Sequence, residues 1–355
     1  MKVIPQIYET TARFLNYSMG SLPDVISGTV TEERNGEFYL SMQYSVHGQN
    51  ADLIKVGRLI TAKPNMYDDP QAFRIATIEK TLDGTMDITA YHVSYDLSKI
   101  VATPFTANGI QAAFAELLTN TWPINYFVFL TDKTDADTFT VTQPVPMRTL
   151  LAGMEGSFLD VYGGEYKFNN WTVTLMSSRG QDRNVQIAYG KNLSAFKETD
   201  ENGAYDAVVP FAVVDDTTYY ITDRSTYPTA PVVKSSTSYG YPQTISLDLS
   251  EEFDSDHLPN DTTLYNKALS YIEKNSTKAH TNLSTEYLDL TKLLGGTERV
   301  DLCDRVYISV EPYGLYNIQA KVIATEYDIL TDEYTKVTIG DKKLTLADTL
   351  ANLTR

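Results

Sequence analysis

The chain has 355 residues, enough for two or three domains at about 150 residues each. Its 46 acidic against 29 basic side chains leave a net charge of −17. That balance excludes a grip on nucleic acid or anionic lipid, since both need clustered Lys and Arg. A hydrophobic share of 42% excludes a disordered chain, and 25 Tyr against 2 Trp lean toward strands and half-wet interfaces.

Met1-Lys2-Val3-Ile4 is interrupted at Pro5, so no signal peptide is expected and the chain is expected to fold in the cytoplasm of the producing cell. Residues 1–103 read as an all-β domain. Phe38 to Val46 alternates aromatic and polar positions, and Ile75 to Leu82, Asp83-Gly84 and Thr85 to Val93 form a hairpin signature with a type I′ turn. On the return strand Met86, Ile88, Ala90 and His92 share one face. Residues 104–182 read as an α/β insertion module. Asn108 is placed to cap a helix carrying Ile110, Ala113, Phe114, Leu117 and Leu118. Pro146 opens a second helix with Met147, Leu150, Leu151 and Met154, stopped at Gly156. A hairpin follows, Glu165 to Phe168 and Trp171 to Leu175, turning at Asn169-Asn170.

Strand character returns over residues 183–245 and again over 296–340, which together read as a second, discontinuous β domain. Its most apolar run, Ala207 to Val214, contains Pro210 and is far short of the ~20 residues of a membrane span. Between these stretches, residues 246–295 read as a helical peripheral module with Tyr265, Ala268, Leu269 and Ile272 on one stripe. Residues 341–355 read as a short C-terminal helix carrying Leu346, Leu350 and Leu353. A faint internal repeat relates Gly57-Arg58-Leu59-Ile60 and Phe73-Arg74-Ile75 to Asp304-Arg305-Val306-Tyr307 and Tyr316-Asn317-Ile318, each followed by a hairpin. Chance and duplication explain so few positions equally well.

No catalytic, cofactor-binding or metal site emerges. The four histidines, His47, His92, His257 and His280, form no zinc spacing, and His92 on its apolar face reads as a structural residue. Asp254-Ser255-Asp256-His257 reads as a solvated helix leader. Asp132, Asp135 and Asp137 miss the calcium-loop spacing. Cys303 reads as a small strand residue whose flanking carboxylates raise its pKa, the wrong direction for a nucleophile.

Several phrases, in order, resemble the N-terminal hub region of the prophage endopeptidase tail, or tail-associated lysin, family. They are Phe73-Arg74-Ile75 with the hairpin ending in Ala90 to Leu97; the Pro146 helix leading to the Trp171-bearing hairpin; and Ile187-Ala188-Tyr189-Gly190-Lys191-Asn192-Leu193. The last are Leu302-x-Asp304-x-Val306, Glu326-Tyr327-Asp328 and Val337-x-Ile339-Gly340. The resemblance implies a mainly β (α+β) chain of two tube-type antiparallel β-barrel domains, each with a small α/β or helical module, similar to the baseplate hub of contractile-tailed phages. The internal repeat is what such an architecture requires.

The function implied is a structural hub of the tail tip: a homotrimeric ring that continues the tail tube and closes or opens the DNA channel. The distal tail ring, the tube and tape-measure proteins, and receptor-binding or fibre proteins are its partners. DNA passes through without specific binding, and the chain inserts in no membrane. Its place is the distal end of the virion tail, after assembly in the bacterial cytoplasm. The family's endopeptidase is carried by a C-terminal extension, so the chain is expected not to be an enzyme and to need no cofactor. The alternatives are a peptidoglycan-degrading tail endopeptidase and a glycan-binding host-recognition module.

Overall fold

The computed structural model describes residues 3–154, 156–201, 206–234, 243–275, 280–287 and 299–340. The helix expected over 341–355 lies outside them. The chain divides into two compact units, residues 1–197 with 283–355, and residues 198–282.

The first unit is built on a long sheet. Phe38–Ser45 alternates buried with half-buried or exposed side chains because every second residue (Phe38, Leu40, Met42, Tyr44) is apolar and faces the core. It pairs antiparallel with Val25–Glu33 on one side and Thr85–His92 on the other. Gln71–Lys80, Leu59–Ala62 and Gln6–Tyr8 continue the sheet outward. Met86, Ile88, Ala90 and His92 are all buried, as the alternation predicts. The turn between the two hairpin strands differs from the expected type I′. Thr81 N donates to Thr85 O at 3.1 Å and Gly84 N to Thr81 O at 3.3 Å. Within the turn the positive φ belongs to Gly84, at 86°. The Asp83 carboxylate accepts from Thr85 N at 3.2 Å, which favours a right-handed turn closed by a glycine bulge.

A second run of three strands repeats this order: Arg305–Val310, Leu315–Asp328 and Glu333–Gly340, antiparallel neighbours like Leu59–Ala62, Gln71–Lys80 and Thr85–His92. The faint sequence repeat falls on these matching strands. Asp182–Ala188 adds to Arg305–Val310 in parallel. Val25–Glu33 and Phe38–Ser45 extend the first run to five strands, and among the described residues one ladder, Thr29 to Glu33 against Asp328 to Ala324, joins the two runs into one sheet.

The α/β insert supplies a second layer to the same core. Helix α1 (Ile110–Thr119) buries Ile110, Ala113, Phe114 and Leu117, four of the five residues on the predicted stripe. Its N-cap is Gly109, with no side-chain cap; Asn108 instead ends strand Phe105–Asn108, where its side-chain Oδ1 accepts from Thr138 Oγ1 at 2.9 Å. The ladder to Thr138–Val141 claims Asn108 before the helix can. Helix α2 (Met147–Leu151) is shorter than predicted and ends before Met154. Helix α3 (Phe158–Tyr162) brings Phe158 within 4.0 Å of Phe139 and 4.8 Å of Phe114, ring centre to ring centre, so tilted aromatic pairs pack the layer. Glu165–Asn169 and Thr172–Met176 form the expected hairpin, with Asn170 at φ 49°.

The second unit has its own core. Ala207–Val214 pairs antiparallel with Thr217–Tyr220 and Val233–Lys234, and in parallel with Thr244–Asp248. Helix α4 (Asp261–Asn275) covers this sheet through Leu264, Ala268 and Ile272, with Tyr265 and Leu269 of the predicted stripe half-buried beside them. Asn260 caps it: Thr263 N donates to Asn260 Oδ1 at 3.0 Å and Asn260 N to Thr263 Oγ1 at 2.9 Å. The apolar run read as part of a second β domain thus forms a small sheet of its own, because α4 offers it a matching apolar stripe.

Candidate functional site: a buried ionic seam

The residues that the sequence singled out do not converge. His92 is fully buried, stacked 4.4 Å from Phe38, and its Nδ1 accepts from Ser94 N at 3.2 Å. That bond leaves the proton on Nε2, which donates to Gln71 Oε1 at 3.3 Å. Burial, and then the charge of Arg148, push its pKa well below the usual value, so it is a neutral structural imidazole. His257 is exposed against Asp254 at 3.1 Å, His47 is exposed, and the His280 side chain lies outside the described residues. Asp132 accepts from Ser177 N at 2.8 Å, Asp135 pairs with Lys133 at 3.3 Å, and the Asp137 carbonyl accepts from Tyr162 Oη at 2.9 Å. Among the described residues no group of three or more His, Cys, Asp and Glu is arranged to hold a metal ion.

Cys303 departs from its sequence reading in two ways. It occupies a turn at φ 72°, ahead of strand Arg305–Val310. Its thiol is pushed up to about 12 by burial first, with Glu165 and Glu32 adding to the rise against the pull of Arg179. Residues distant in sequence, rather than the flanking aspartates, surround it.

Those distant residues form a buried charged cluster in the first unit. Glu32 is the last residue but one of the strand that meets the second run, and Arg179 Nη1 donates to its Oε1 at 2.6 Å and to Tyr166 O at 3.3 Å. The two side chains are 5% and 8% exposed. Burial opposes the charge of Arg179, but Glu32 outweighs it and holds the guanidinium above its ordinary value. Glu165, the first residue of the insert hairpin, is similarly placed. Its Oε1 faces Arg34 Nη1 at 3.7 Å and is bonded more closely by Lys321 Nζ, while Oε2 accepts from Arg179 N at 2.8 Å. Burial alone would raise its pKa; the Lys321 and Arg179 bonds and the nearby cations hold it below the usual carboxylate range.

The chain leaves the insert through this cluster. Gly180 crosses so close to the Cys303–Asp304 peptide that a Cβ there would lie 1.9 Å from Cys303 O. Gln181 N then donates to Asp304 Oδ1 at 2.7 Å, Arg305 N to Gln181 O at 2.9 Å, and Arg183 Nε to Asp304 Oδ2 at 3.3 Å. Arg74 of the quoted Phe73-Arg74-Ile75 phrase is likewise structural: it grips Asp96 with two bonds of 2.7 and 2.6 Å and the carbonyls of Thr10 and Gly57. Elsewhere, a shallow polar dip is lined by Asn184, Gln186, Tyr307 and Asn317. Chemically, the seam can hold strands in place; it presents no exposed nucleophile to a substrate.

The model of the prophage endopeptidase tail family matches residues 181–350, beginning where the chain enters the second run of strands. No curated protein matches the chain in sequence. Among solved structures, the prophage tail protein gp18 from Listeria monocytogenes EGD-e superposes with a TM-score of 0.61 at 12% identity, over 99% of this chain and 98% of that one. The 43 kDa tail protein of prophage MuSo2 from Shewanella oneidensis gives 0.60 at 10% identity, over 96% and 98%. The phrases at 73–97 and 146–175 lie outside the family match, and there the likeness is one of fold. The chain thus resembles the prophage endopeptidase tail family in sequence over residues 181–350, and over almost its whole length it has the fold of prophage tail proteins.

Proposed function

We propose that the chain is a structural hub of a phage or prophage tail tip, acting without catalysis. The observation that carries this reading is the pair of matching three-strand runs fused into one sheet by the Thr29–Glu33 and Ala324–Asp328 ladder. Two tube-type domains per chain, three chains to a ring, give six similar walls around one axis, which suits a junction between a sixfold tube and a threefold tip. The first domain lies within 1–103 and the second draws on 182–197 and 299–340. The insert at 104–182 and the unit at 198–282 interrupt them in sequence as accessory modules. The partners are a second and third copy of the chain, the distal tail ring, and the tube and tape-measure proteins.

The net charge of −17 supports a conduit role. Duplex DNA carries about one charge per 1.7 Å of axis, and an acidic or neutral wall lets it slide where a basic wall would hold it. Electron microscopy of the protein co-expressed with its neighbouring tail proteins is expected to show a threefold ring with an open centre. A monomer in the assembled tail, a net-basic lumen, or clearing of peptidoglycan in zymography overturns the reading.

A further inference from the structure

We propose that Glu165 is the keystone of a brace by which the α/β insert fixes the second run of strands against the first. Among the described residues the two runs share one ladder, Thr29 to Glu33 with Asp328 to Ala324, extended by Arg34 N donating to Ile323 O at 2.8 Å. The ladder continues at its other end with Ile329 N donating to Gly28 O at 3.0 Å, and its register decides which side chains reach the core, since a slip of one residue turns every side chain to the opposite face.

The insert spans this joint. Arg34, directly after the first run's strand, and Lys321, within the second run's strand, both reach the same Glu165 oxygen. The other oxygen takes Arg179 N, and Arg179 itself holds Glu32 at the ladder's edge. Backbone docking accompanies the charges: Asn35 Nδ2 donates to Gly164 O at 3.0 Å, and Tyr166 N donates to Asn35 Oδ1 at 2.8 Å. One carboxylate on the insert is thus clamped by one cation from each run. Buried ion pairs are poor sources of net stability, and their best-attested use is to specify register or state. Charges kept at the one joint between two similar halves fit that use.

The brace lies within a single chain, so it is tested on the isolated protein and stands or falls apart from ring formation. Hydrogen exchange read by mass spectrometry reports the joint directly. In Glu165→Gln, amides of 29–33 and 323–328 are expected to exchange about tenfold faster, while 39–44 and 86–91 keep their rates. Equal acceleration in all four segments, or none, overturns the proposal. Should that variant fail to fold, Arg34→Gln and Lys321→Gln, singly and together, carry the test. The double variant is expected to accelerate joint exchange by more than the product of the singles, because losing the second cation leaves the carboxylate buried with a lone N–H partner. Acceleration equal to that product overturns it.

Discussion

A neutral imidazole buried among aromatic rings makes stability depend on pH in one direction only. The folded-state pKa of His92 is depressed, so its contribution is present above the unfolded value of 6.5 and is lost as pH falls below it. Urea titrations between pH 7.5 and 5.5 are expected to show stability falling by up to about 1.4 kcal/mol per pH unit below 6.5. His92→Gln, which cannot bind that proton, is expected to flatten this part of the profile. An unchanged slope means that another group titrates there. At this scale the sequence was legible where residues act on their neighbours, as in the alternation that buries His92. The ionic cluster was not, because Glu32, Arg34, Glu165, Arg179 and Lys321 meet only through the fold, and each alone reads as a solvated surface charge.

At the scale of elements, the crossing from insert to second run is the least forgiving segment. Gly180 leaves no room for a Cβ against the Cys303 carbonyl, and both partners are backbone. Gly180→Ala is therefore expected to destabilise the first unit by ~3 kcal/mol or more, measured as a lowered urea midpoint with unchanged slope. A loss below 1 kcal/mol would mean that the crossing strand shifts freely. The sequence disclosed the helices and the hairpins through their periodicity, but it misplaced caps and turns. Asn108 was drawn off by strand pairing with Thr138, thirty residues further on, and Asp83 bent its turn through a side-chain bond. Both are local residues answering to partners that periodicity does not reveal. The run Ala207–Val214 has the length and apolarity of any buried strand, and only helix α4 decides which sheet it joins.

For the molecule as a whole, the separate core of residues 198–282 implies separate folding. Val208, Ala212, Ile221, Val233, Leu264, Ala268 and Ile272 pack with one another within that unit. A fragment of residues 198–282 is expected to melt cooperatively when followed by circular dichroism, and Leu264→Ala to destabilise it by ~2–5 kcal/mol. A broad, non-cooperative melt would show that the unit needs the rest of the chain.

The joint between the two strand runs also sets an order in time. Strand Val25–Glu33 leaves the ribosome well before its second neighbour, Ala324–Asp328, which is made about 290 residues later. At ~5–20 residues per second, one edge of the nascent sheet waits unpaired for tens of seconds. An open edge of this kind invites pairing with another nascent chain. Glu32 and Glu33, side by side at the end of that strand, discourage such pairing by placing charge on the edge. The same Glu32 that later lies buried against Arg179 of the insert thus first puts charge on an edge that is still open.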